Sequence, residues 1–217
     1  MSGWRRWLRN AAGSTAWCVL AWACPAHAAP DDFMATRPTT EATRLVDWVL
    51  HTGDAHGRPF AVVDKRAARI YVFHADGRLA GHTPVLLGSA VGDHSVPGVS
   101  ERTQAGALRP EDKTTPAGRF EASPGENNKG ERVIWVDYES AFAIHRLRPG
   151  FAYQARASRL ASWQPAGKRV SWGCVVVPVP FYQGVVEQVL GRGRSVVYVM
   201  PEAGPLQAVF HGLAPQV

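Results

Sequence analysis

Val170-Ser171-Trp172-Gly173-Cys174-Val175-Val176-Val177-Pro178 is the stretch whose reading decides the fold. Its β-branched residues predict a strand over Val170 to Val177, leading into and past a cysteine. Glycine before that cysteine lets another backbone approach closely and takes angles that other residues resist. A cysteine so placed can present its sulfur outward. Pro178 and Pro180 then open a helix, since proline is tolerated in a first turn. Phe181, Val185, Val186, Val189 and Leu190 form its expected buried face, with Gly191 as C-cap.

Working outward, β patterning dominates. Phe60 to Asp64, Arg69 to His74 and Leu79 to Leu87 predict a meander, with Asp76-Gly77 as a tight turn. Further strands are expected at Arg119 to Ala122, Arg132 to Asp137, Ala141 to Leu147 and Ser195 to Met200, the last ended by Pro201. Glu41 to His51 has Leu45, Val46, Val49 and Leu50 at helical spacing. The expectation is a mainly β domain, a sandwich or partly closed barrel with two short helices. Two stretches interrupt it. Gly92 to Gly118, rich in glycine and proline, reads either as a lid or channel wall or as a mobile insertion without function. Phe151 to Lys168 is polar, irregular or partly helical.

The chain has 217 residues, 46% apolar and 19% charged, enough for one domain with a core. Residues 1–28 read as an export signal. Arg5, Arg6 and Arg9 precede the apolar run Ala11 to Ala23, and Ala26-His27-Ala28 fits a cleavage site. That run is shorter than the roughly 20 residues a membrane span needs. Retention of the signal, or lipid attachment at Cys24, stay open. The division is therefore 1–28 signal, 29–57 lead-in and short helix, 58–201 main domain and 202–217 tail. The expected location is outside the cytoplasm, in the periplasm or cell envelope, with no stable membrane insertion after cleavage.

Signal removal takes three basic residues from a net charge of +6, leaving 21 basic against 18 acidic residues and a net of +3. No Lys/Arg stripe is interleaved with aromatics, so nucleic acid is not an expected partner. A mild positive charge suits an anionic polymer. Cys18 and Cys24 leave with the signal, so Cys174 alone remains and no internal disulfide can form. A free thiol titrates near about 8.5 and needs an imidazole to act as nucleophile at neutral pH. His145, ending the apolar run Phe142-Ala143-Ile144, is the candidate. The amides around Gly173 and Cys174 are candidate oxyanion donors. Taken alone, the pair is weak evidence, and a satisfied core histidine with an inert buried thiol is the favoured reading. The histidines at 51, 56, 74, 82, 94 and 211 lack metal-ligand spacing.

Three ordered motifs add to this. Thr115-Pro116-Ala117-Gly118-Arg119-Phe120, then Ile144-His145, then Ser171-Trp172-Gly173-Cys174-Val175 resemble the L,D-transpeptidase catalytic domain (YkuD-like) over residues 58 to 200. The resemblance implies a cysteine acyltransferase acting on peptidoglycan stem peptides, without metal or cofactor. It implies Cys174 as nucleophile, His145 as general acid/base and the Arg146 backbone carbonyl as the orienting third member. Ser171 and Gly173 would position the site. Trp172, Arg148 and Arg169 are rim candidates, and the Arg146 side chain is another group able to hold a stem carboxylate. The chain departs from the pattern at Trp172, where a histidine is usual, and at Val176, where asparagine or arginine is usual. The 25 residues between His145 and Ser171 also exceed the usual gap. Hydrolysis at the same site, as an L,D-carboxypeptidase or amidase, and a non-catalytic wall-binding domain are the alternatives.

Overall fold

The computed structural model describes residues 29–214. The expected signal at 1–28 lies outside the described residues. Among the described residues ten strands form: β1 (Phe60–Asp64), β2 (Arg69–Phe73), β3 (Leu79–Pro84), β4 (Leu87–Gly88), β5 (Gly118–Glu126), β6 (Arg132–Asp137), β7 (Phe142–Arg146), β8 (Arg169–Ser171), β9 (Val175–Val177) and β10 (Ser195–Val199). Eight of them make one sheet in the order β3-β2-β1-β10-β5-β6-β7-β9, and β4 pairs with β8. The sheet is nearly closed. Leu86, just past edge strand β3, exchanges two backbone hydrogen bonds of 2.9 Å with Val176 of edge strand β9. Joining the edges removes the unpaired N–H and C=O groups that exposed edges present.

Strands β1 and β10 are buried along their whole length, which explains their unbroken apolar runs. Ala61, Val63, Val197 and Val199 face one core, where Tyr182, Val186, Val189 and Leu190 pack. Phe60, Val62, Val196 and Tyr198 face a second core. There α2 (Thr40–Thr52) contributes Ala42, Leu45, Val46 and Val49. Thr39 caps α2 through Ala42 N–H at 3.1 Å, and its hydroxyl donates to Asp64 at 2.6 Å, tying the helix start to the end of β1.

Several expectations change. The 29–57 lead-in holds a further helix: α1 (Asp31–Met34) buries Phe33 edge-on against Tyr71, ring centres 5.0 Å apart. Four residues cannot hold a helix alone, so this packing fixes it. At the other end, Leu206, Phe210 and Leu213 are buried in the same core. The Gly92 to Gly118 stretch contains α3 (Val99–Gln104) and a 3-10 turn (Pro110–Lys113), joined by Arg102 and Arg109 converging on Asp112. The 151–168 stretch contains α4 (Tyr153–Ala161). Leu160 of α4 packs with Leu86, Leu147 and Val176 in a small third cluster. The helix after Pro178 runs as α5 (Val179–Phe181), a π turn (Tyr182–Val186), α6 (Glu187–Val189) and a 3-10 turn (Leu190–Arg192). Gly191 lies inside that last turn and is not a cap. The helices therefore exceed the two expected. The strand expected over Val170 to Val177 breaks at Trp172-Gly173-Cys174, where the chain turns out of β8 before entering β9.

Candidate active site

The break is built by Gly173. Its φ of +122° lies outside the range ordinary side chains favour, and a Cβ there would stand 3.0 Å from the Thr114 carbonyl. Ser171 then fastens the turn from within. Its hydroxyl donates to the Cys174 carbonyl at 2.6 Å and accepts from Gly173 N–H at 3.2 Å. From outside, the Thr115 hydroxyl donates to the Gly173 carbonyl at 2.7 Å. Gly173 N–H, expected as an oxyanion donor, is therefore engaged by Ser171. Cys174 N–H makes no hydrogen bond to any described residue.

Strand β9 lies parallel to β7, with Val175 beside Ile144 and Val176 beside His145. This register sets the cysteine turn against the first residues of β7. The Cys174 thiol contacts the Ala141 carbonyl at 3.5 Å, and the Ala143 amide approaches the sulfur. No hydrogen bond joins the sulfur to His145 among the described residues. Ile144 points into the first core, so strand alternation turns His145 to the opposite face, shared with Val176.

His145 Nδ1 lies 2.8 Å from the Arg146 carbonyl. A carbonyl can only accept, so Nδ1 carries the proton and Nε2 keeps its lone pair. Burial, followed by the Arg148 charge, holds the imidazole down at about 4. It is neutral at pH 7. Burial also pushes the Cys174 thiol above its ordinary range, against smaller opposing effects of the Ala143 amide and Arg148. Both groups are thus uncharged at rest, which suits proton transfer concerted with attack rather than a preformed ion pair. The rate of Cys174 alkylation by iodoacetamide is accordingly expected to keep rising with pH beyond about 8.5, the ordinary thiol midpoint. Mass mapping of the Cys174 peptide reads it. A plateau reached below neutrality would reveal a resting thiolate and overturn the neutral pair.

The arginines divide. Arg146 and Arg148 both pair with Glu131, at 2.9 and 2.6 Å, and Asn127 donates to the same carboxylate at 3.1 Å. Arg156 of α4 donates to the Arg148 carbonyl at 2.9 Å and adds a second positive charge near His145. Arg169 does not join this group. Its guanidinium pairs with Glu202 and donates to the Gly88 carbonyl, lining a cavity of about 440 Å³ with Lys65, Arg66 and Lys168. Neither that cavity nor a smaller one beside Glu187 includes Cys174 or His145. Trp172 is 67% exposed.

Thr115 is the residue that sequence reasoning quoted without assigning it a place in the site. It is fully buried, and Gly88 N–H donates to its hydroxyl at 2.8 Å. A Cβ on Gly88 would collide with the Lys113 carbonyl, so only glycine allows this approach. Lys65, its side chain wholly buried, donates to the Thr115 carbonyl at 2.9 Å, to Asp93 at 2.6 Å and to the Gly92 carbonyl at 2.7 Å.

No family model matches the chain. No curated protein matches it either. Among solved structures, the Ldtfm-avibactam carbamoyl enzyme aligns at 16% identity over 66% of this chain and 49% of that chain, with a TM-score of 0.37. The chain therefore spans about half the length of that enzyme. At this distance the chemistry of the site rests on its own geometry.

Proposed function

We propose that the protein is a cysteine acyltransferase of the L,D-transpeptidase kind, acting on peptidoglycan stem peptides in the cell envelope. The observation that carries this reading is the His145 Nδ1 contact with the Arg146 carbonyl. It leaves Nε2 as a base on the strand beside the Cys174 turn. The unclaimed Cys174 N–H supports it as a donor for a developing oxyanion.

In the reaction, Nε2 takes the thiol proton as sulfur attacks the carbonyl carbon of the stem peptide. The C=O bond opens to an oxyanion facing Cys174 N–H. Collapse re-forms the carbonyl, breaks the C–N bond and expels the terminal amino acid, whose nitrogen receives the proton from His145. An amine of a second stem then gives a proton to His145 and attacks the thioester; the C–S bond breaks, His145 returns the proton to the Cys174 sulfur, and the cross-link is complete. Water in place of that amine gives hydrolysis.

Intact mass after exposure to a carbapenem tests the reading. One covalent adduct is expected on the wild type and none on Cys174→Ala. Absence of an adduct on the wild type, or an equal adduct on both, overturns it. Digestion of purified sacculi separates the outcomes: new cross-links mark transfer, and tetrapeptides trimmed to tripeptides mark hydrolysis.

A further inference from the structure

We infer that Thr115 is a positioning residue that aims the Cys174 N–H at the oxyanion. The inference deepens the acyl-transfer reading and rests on it. Its ground is the geometry of one peptide unit. Gly173 C=O and Cys174 N–H belong to the same planar trans peptide and point in opposite directions. Fixing the carbonyl therefore fixes the amide. The Thr115 hydroxyl bonds that carbonyl at 2.7 Å.

The hydroxyl has a single proton, and its use is forced. Gly88 N–H donates to the Thr115 oxygen at 2.8 Å, so the oxygen acts there as acceptor. The proton must then go to the Gly173 carbonyl, which can only accept. Thr115 is itself held from behind, because Lys65 Nζ donates to its own carbonyl at 2.9 Å. No water competes for the contact, since Thr115 is 0% exposed. The neighbouring groups of Gly173 and Cys174 are spent on Ser171: Gly173 N–H and the Cys174 carbonyl both bind its hydroxyl. Of the Gly173 and Cys174 amides, Cys174 N–H is the one left without a described partner, and it faces away from Thr115. The oxyanion develops beside that amide, because it sits on the carbon the sulfur attacks and sulfur and amide belong to one residue.

The assignment separates two properties that a general structural role would join. Acylation builds an oxyanion; alkylation of the same sulfur by iodoacetamide does not. Thr115→Val keeps the shape and removes the hydroxyl. It is expected to slow acylation of Cys174 by p-nitrophenyl acetate or a carbapenem about 100-fold, the low end of what losing one oxyanion donor costs. Alkylation should stay within about threefold, and Thr115→Ser should restore acylation, because the hydroxyl and not the methyl does the work. The alkylation rate and the melting curve together report that the turn is folded. Should Thr115→Val not fold, Thr115→Ala is read in the same way.

Equal slowing of acylation and alkylation would overturn the inference, since Thr115 would then only hold the thiol in place. Unchanged acylation would overturn it too, leaving the acyltransfer reading intact. A wild type that alkylates but is acylated by neither probe would overturn both.

Discussion

Lys65→Met is expected to cost about 3–5 kcal/mol of stability, the usual penalty for removing one member of a buried ion pair. For a domain whose total stability is roughly 5–15 kcal/mol, that is a large fraction. The size follows from what is left behind. Asp93 lies 2.6 Å from Lys65 Nζ and Glu202 lies 3.9 Å from it, with both carboxylates nearly buried. Asp93 keeps the N–H groups of Glu202 and Ala203 at 2.8 and 2.9 Å, and Glu202 keeps Arg169. The carbonyls of Gly92 and Thr115 lose their donor. Urea denaturation reads the loss. Lys65→Met with Asp93→Asn should recover part of it, because the stranded charge is then gone. A single variant within about 1 kcal/mol of wild type would mean that water reaches the network and solvates the charges left there.

His145→Gln is expected to lower the acylation rate of Cys174 by about 10²- to 10⁴-fold, the usual worth of a positioned general base. The pH profile identifies the group. The imidazole is held down at about 4, so the wild-type acid limb should fall near that pH and not near 6.5. A limb at 6.5 would contradict the half-buried, neutral imidazole. Stability carries the same signature. The unfolded histidine titrates near about 6.5. Between about 4 and about 6.5 the unfolded chain therefore binds a proton that the folded one refuses, so stability falls as pH falls through this window. The difference between the two midpoints corresponds to at most about 3 kcal/mol. His145→Gln should flatten that part of the stability curve, while protonation of carboxylates continues below it.

Much of the fold was legible because strand periodicity is local. Arg132 to Asp137 coincides with β6, and the first two meander strands match within one residue. The third ran long, since Pro84 ends β3 and the chain turns aside to pair Leu86 with Val176. The expected continuous strand into Cys174 failed for a related reason. Three valines after the cysteine carry strong β propensity, but Gly173 and the grip of Thr115 on its carbonyl turn the chain first. The burial of Phe33, Leu206 and Phe210 was hidden because isolated apolar residues show no period.

The sequence by itself determined the chemical types and their order: one thiol in the described chain, one histidine ending an apolar strand, and a threonine-proline segment upstream. It also determined that strands dominate. Tertiary structure alone decided which groups meet. The parallel register of β7 and β9 set the cysteine turn beside the histidine strand. Tertiary structure paired Arg169 with Glu202 and brought Arg156 towards His145. It placed Lys65 behind Thr115 across a separation of 50 residues. The physical reason is range. Propensity and periodicity act over a few neighbours, whereas a hydrogen bond or ion pair depends only on final distance in space. Cys174 is thus readable as a candidate from the chain, but the direction of its amide is fixed only by Thr115 in the folded molecule.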